Sequence, residues 1–281
     1  MVAEEGGIPI TPTQHAIVSD RDFYLPFRQL GPSKRVVLED PQGPFSPGRL
    51  KTRAGFFDAL LFRLITQASP ILTGRKRVCF GSPEKFKKAT EGQEMEKYCN
   101  PWATGQHYRF RNIPHVSTYW DRSAGWDAVV DNPKLTLQFL FDWLTGKEGN
   151  KTRFFGMGPL VGWLLATDYA YAGLVDMPRP SEVGEIIFAI DAGGKRGLKL
   201  LGYDVGTKES CTEAVRLLWD EVEWEFSPEG MMGLDIITLE HALCKFSRLW
   251  DTISKVGDSS ILHAVFNFTL FLKDDQLDDF T

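Results

Sequence analysis

The residues with the most chemical content lie between Phe154 and Leu198. Phe154-Phe155-Gly156-Met157-Gly158-Pro159 sets two glycines around an apolar residue and places proline at the start of the apolar run that follows. Glycine at the first position permits a positive φ, and at the second it removes a side chain where a ligand backbone can approach. A turn of this kind between two helices offers unpaired backbone N–H groups at the partly positive start of the second helix, which suits a phosphate. Gly-x-Gly alone also fits a plain inter-helical turn. Lys147, Lys151 and Arg153 just before it favour a nucleic-acid phosphate.

Asp168 follows in Thr167-Asp168-Tyr169, inside the apolar run. A carboxylate there needs a partner or water, because an unpaired buried charge is costly. It is either a structural acceptor or a functional acid. Asp191-Ala192-Gly193-Gly194-Lys195-Arg196-Gly197-Leu198 reads as a flexible glycine turn beside two cations. Such a turn can hold a phosphate or pyrophosphate, with Gly194 and Lys195 cradling it and Arg196 gripping two oxygens, or it can be an ordinary exposed turn. It lacks the spacing of a triphosphate-binding loop. Glu240, His241 and Cys244 share a helical stretch but supply too few ligands for a metal site, and no cofactor is expected.

The elements that must position these groups read as mainly helical. Phe57, Leu60, Leu61, Leu64 and Ile65 mark one face of a helix over 54–67. Ser82-Pro83-Glu84 reads as a helix start with proline at its first position. Further helices are expected from Asn132 to Thr145, from Pro159 to about Gly173, and over 212–226, 236–253 and 260–272. Residues 92–131 show no clear period, and 185–190 fits strand or helix. Residues 1–20 read as a flexible arm, 21–272 as one domain with irregular connections, and 273–281 as an acidic tail.

Charge is unevenly spread. The net value is −5, yet residues 28–111 hold 16 Lys/Arg against 7 Asp/Glu, and residues 204–281 hold 6 against 16. Either the basic half meets phosphates or the two halves neutralise each other. The stretch from Met157 to Val175 has the length of a bilayer crossing, but Asp168 in its middle argues for a protein core. The opening Met1-Val2-Ala3-Glu4-Glu5 has no basic start and no apolar run, so an intracellular place, nuclear or cytoplasmic, is expected rather than secretion. The scattered Cys79, Cys99, Cys211 and Cys244 fit the same expectation.

Taken in order, these segments resemble the helical family associated with DNA base hypermodification. That family includes the helical domain of 5-hydroxymethyl-deoxyuridine DNA kinases and the α-glutamyl/putrescinyl-thymine pyrophosphorylases, and is related to helix-hairpin-helix DNA glycosylases. The matching residues are Gly156-Met157-Gly158-Pro159, Thr167-Asp168-Tyr169, Gly193-Gly194-Lys195-Arg196-Gly197-Leu198 and Leu243-Cys244-Lys245-Phe246. Leu60-Leu61-Phe62-Arg63-Leu64 looks like the family's N-terminal helix, and the likeness spans 54–250. Lys245 stands where the family has glutamate, and the glycine turn lacks its usual proline.

The resemblance implies a glycosylase-like helical fold and an enzyme acting on a 5-hydroxymethylpyrimidine in DNA, or on its phosphorylated or pyrophosphorylated form. DNA is the expected partner, with an amine or amino acid as co-substrate. Asp168 is then expected to orient or deprotonate the nucleophile, Arg196 with Lys195 to stabilise the leaving group, and Arg63 to pair with Asp168 or with phosphate. The alternatives are a glycosylase, with Asp191 as its aspartate, and a binding module without catalysis, which Lys245 encourages.

Overall fold

The computed structural model describes residues 32–38, 40–72, 79–101, 109–148, 151–225 and 234–256. The arm over 1–20, the helix expected over 260–272 and the tail over 273–281 lie outside the described residues. The chain is mainly helical, and among the described residues its sheet structure is one two-stranded ribbon. The contacts of the described residues gather into two compact units, one over Pro32–Pro178 and a second that begins at Arg179.

In the unit Pro32–Pro178, α1 (Pro32–Leu38), α2 (Pro47–Leu50) and α3 (Arg53–Leu61) come first. Thr52 caps α3 by accepting from the Gly55 N–H at 3.1 Å. The pattern predicts one apolar face here, but every residue from Gly55 to Leu61 is buried, so α3 is a central helix rather than a surface one. It runs directly into a π-helical segment, Phe62–Thr66, also buried throughout. Asp58 on α3 ties down the chain at residues 80 and 81, accepting from both backbone N–H groups at 2.8 Å and from Arg49 at 2.5 Å.

The helix α4 (Pro83–Thr90) starts as expected, with Ser82 accepting from the Lys85 N–H. The stretch without a clear period contains short elements: a 3-10 segment Arg109–His115, then α5 (Val116–Arg122) and α6 (Trp126–Val130). Short helices cannot show several turns of periodicity, which is why no pattern stands out. Next come α7 (Leu137–Thr145), the ribbon of β1 (Lys147–Glu148) and β2 (Lys151–Thr152), and α8 (Pro159–Tyr171).

Leu137, Leu140, Phe141 and Leu144 give α7 one buried stripe, whereas α8 is buried on all sides from Val161 to Ala170. Gly162 brings the two together, because a Cβ there would lie 2.5 Å from Thr145 Cγ2. Aromatic rings fill the remaining space. Phe56 stacks on Trp126 at 4.1 Å, and Trp126 meets Tyr169 edge-on at 5.1 Å. Trp126 and Tyr169 both donate to the Leu50 carbonyl, so neither buried polar tip is left unpaired.

The second unit holds α9 (Pro180–Ile190), α10 (Gly193–Leu200), α11 (Lys208–Glu225) and α12 (Ile236–Val256). The ambiguous residues 185–190 are helical. Pro180 opens the helix, Glu182 accepts from the Arg179 N–H, and Val183, Ile186 and Ile187 form its buried face. α9 packs on α11, and α10 packs on α12. Among the described residues no helix is long and apolar enough to cross a membrane.

Two glycines test this packing. A Cβ on Gly184 would sit 2.5 Å from Thr212 Cα, a backbone atom that cannot turn aside, whereas one on Gly48 would meet nothing within 4 Å. Gly184→Ala is expected to destabilise by about 1–3 kcal/mol through overpacking. Gly48→Ala is expected to be neutral or to stabilise by up to about 1 kcal/mol. Thermal and urea melts of the two variants read the difference.

Candidate functional site

The glycine turn, the π-helical segment and Asp168 form one connected arrangement within the unit Pro32–Pro178. Arg63 lies on the π-helical segment and reaches α8. Its Nε donates to Asp168 Oδ2 at 2.7 Å and its Nη2 to Oδ1 at 2.6 Å, a two-point grip. Lys34 of α1 donates to the same Oδ1 at 2.6 Å. Only 2% of Arg63, 2% of Asp168 and 5% of Lys34 is exposed. Two rings cover the cations: Phe45 lies 3.3 Å from Lys34 Nζ, and Phe62 lies 5.2 Å from the Arg63 guanidinium carbon.

The π-helical segment that carries Arg63 is itself held from behind. Its wider winding closes with Gln67 N–H donating to the Phe62 carbonyl at 3.0 Å. Carbonyls at such a helix end need donors. Arg109, 1% exposed, donates to the carbonyls of Phe62, Arg63, Leu64 and Gln67. Burial pulls its guanidinium down to about 10, which still leaves it protonated at neutral pH. Asn112 adds a bond to the Leu64 carbonyl at 2.8 Å.

Asn112 also meets the glycine turn. Gly156 has φ +79°, and a Cβ on it would lie 2.5 Å from Asn112 Oδ1, so glycine is required there for two reasons. Gly158 differs. It is the extended N-cap of α8 with φ −87°, and a Cβ on it would meet nothing within 4 Å. Among the described residues, the place that a Gly158 Cβ would take is therefore open. The turn is not the tight helix-to-helix connection expected, because residues 146–158 with their ribbon separate α7 from α8.

The cations near the turn are distributed along this connection. Lys151 is on β2 opposite Glu148. Arg153 donates to the Trp143 carbonyl at 3.1 Å and lies over the Trp143 ring at 4.8 Å. Arg122 donates to the carbonyls of Thr152 and Arg153.

Asp168 thus accepts three hydrogen bonds from two cations in a buried setting. A general base must reach the proton that it removes. Asp168 is held by Arg63 and Lys34, and Arg63 has the first of its two expected partners.

Gly194, Lys195 and Arg196 belong to the second unit. They do not form a flexible turn: Gly193 and Gly194 are the first residues of α10, and the glycines serve packing. A Cβ on Gly193 would lie 2.5 Å from Cys244 Sγ, and one on Gly197 would lie 2.4 Å from the Leu243 carbonyl oxygen. Lys195 pairs with Asp191 at 2.9 Å and lies over Phe188. Asp191 closes α9 in the left-handed region at φ 50°. Arg196 grips Asp251 with both terminal nitrogens and also donates to the Ser247 carbonyl.

Lys195, Arg196 and Lys199 border an open groove of about 480 Å³ together with Asp191, Tyr203 and Asp204. Glu240 and His241 pair with each other at 3.3 Å, and among the described residues no group of three or more His, Cys, Asp or Glu is arranged to hold a metal.

The sequence reading missed Lys34, Arg109 and Asn112. Arg109 and Asn112 fall in the stretch without clear period, and Lys34 sits before a proline-rich segment. Nothing local marks any of them as a partner of Arg63 or Gly156. Comparisons with family models, curated proteins and solved structures found no match to this chain.

The two glycines of the turn are expected to respond differently to one methyl group. Gly156→Ala forces a positive φ and a collision with Asn112, a loss of about 1–3 kcal/mol in urea unfolding. Gly158→Ala is expected to melt within about 0.5 kcal/mol of the parent, because its backbone is ordinary and its surroundings are open.

Proposed function

We propose that this chain binds DNA and acts on a 5-hydroxymethylpyrimidine within it, or on the phosphorylated or pyrophosphorylated form of that base. One observation carries the reading: the segments that resemble the hypermodification family meet in pairs. Leu60–Leu64 meets Thr167–Tyr169 through the Arg63–Asp168 bond. Gly193–Leu198 meets Leu243–Phe246 through glycines that admit Cys244 and the Leu243 carbonyl. Residues far apart in sequence that form the buried joints of a scaffold are a reason for the order and spacing of these segments.

In this reading DNA phosphate lies at the start of α8, where Gly158 leaves open space. The target base leaves the stack so that its 5-substituent is exposed. Taken by itself, the second unit offers Lys195 and Arg196 as positive charge suited to a phosphate or pyrophosphate. Arg196 then has to exchange Asp251 for phosphate oxygens, which is feasible because the pair is half exposed. Asp168 keeps the scaffold in place and transfers no proton.

A second reading, DNA binding without turnover, is favoured by one specific fact: Asp168, Lys195 and Arg196 are all held by other side chains. One assay separates the readings. DNA containing 5-hydroxymethyluracil, with and without its phosphorylated form, is incubated with protein and an amine or amino acid, then digested and weighed by mass spectrometry. New base adducts support the enzyme, abasic sites indicate a glycosylase, and unchanged DNA with binding indicates the module. With two or three phosphate contacts, binding is expected to weaken about 10- to 40-fold between about 50 and 200 mM salt. No binding at low salt overturns the DNA reading as a whole.

A further inference from the structure

Beside the glycine turn lies an aromatic pair, Phe155 and His115. Phe155 is 43% exposed, although the Phe154 ring next to it is fully buried. Its ring stacks on His115 with centroids 4.0 Å apart and planes within 20°. Exposing a large ring in this way leaves apolar surface in water, and a flat aromatic ring can stack with another ring.

The pair is held in place from several sides. The Phe155 carbonyl accepts from the Tyr119 hydroxyl at 2.8 Å, and Tyr119 is fully buried. The following residue, Gly156, is set by its positive φ and by the Asn112 side chain. His115 ends the 3-10 segment Arg109–His115 and precedes α5, so its backbone is part of regular structure. A ring fixed in this way loses little conformational freedom when a partner stacks on it.

The two sequence stretches that carry the pair, 109–122 and 147–158, hold six Lys/Arg against two acidic residues. Arg111 is exposed four residues before His115. Arg122 binds the carbonyls of Thr152 and Arg153, which lead directly to Phe154 and Phe155. The acidic residues of the same two stretches, 109–122 and 147–158, are Asp121 and Glu148. A planar aromatic platform carried by stretches that also hold Arg111 and Arg122 fits one kind of partner well, because every base has a π-face and a phosphate follows each base.

We infer that Phe155, stacked on His115 beside the Gly156 turn, is a shelf for an unpaired base of DNA. The inference rests on the DNA reading proposed above and deepens it. The shelf takes a base in a single strand or one that has left a duplex, and it is tolerant of sequence, because stacking reads a ring face and not its edges.

The test uses the full chain and two probes, a thymine single strand carrying one 2-aminopurine and the same strand in duplex, at low salt. Wild type is expected to bind the single strand more tightly than the duplex and to quench 2-aminopurine fluorescence on binding. Phe155→Ala should weaken single-strand binding by about tenfold or more and abolish the quench. Phe155→Trp should retain both. Because Phe155 is exposed, Phe155→Ala should melt like wild type in circular dichroism. Unchanged affinity and quench in Phe155→Ala overturn the shelf and leave the DNA reading standing, as does a preference for duplex without quench. Absence of wild-type binding to either probe overturns both.

Discussion

The unit Pro32–Pro178 depends on satisfying one carboxylate in an apolar helix. Asp168 occupies α8, which is buried on every side, and an uncompensated charge there would cost several kcal/mol. Arg63 and Lys34 compensate it, and each of them then has to be brought to it. Arg63 arrives because α3 widens into a π-helical segment, and that segment is kept by Arg109 and Asn112 binding its carbonyls. Asn112 in turn requires glycine at 156, which fixes the turn that starts α8. The chain of requirements returns to the helix where it began.

This arrangement gives Asp168 a structural part in joining α1, the π-helical segment and α8. A carboxylate gripped at two points by arginine and at a third by lysine has little capacity left for a substrate. Among the described residues, the unit Pro32–Pro178 offers a ligand the start of α8 and the exposed Phe155 ring, and the second unit offers the groove beside α10. Function on loops and helix ends, held by a rigid interior, is the usual division of labour in folded proteins.

Much of this was legible in the sequence, and the limits are physical. Ser82-Pro83 marks a helix start because capping is local chemistry, and α7 shows its buried stripe because it faces the core on one side. Asp168 was recognisable as a charge in need of a partner. The partner itself was only one of two options for Arg63, since nothing local specifies a contact across 105 residues of sequence. Gly193 and Gly194 read as a flexible turn because glycine favours turns, but here tertiary packing wins: α10 needs glycines wherever α12 comes close. The π-helical segment left no local signal, since its carbonyls are satisfied by Arg109 from another part of the chain.

The central claim is that Arg63 and Asp168 are joined to hold the scaffold. A double-mutant cycle in urea unfolding tests it most directly, using Arg63→Met, Asp168→Leu and the pair together. The account predicts that each single change costs about 3–5 kcal/mol and that the double variant recovers at least about 2 kcal/mol relative to their sum. Single losses that simply add would contradict it.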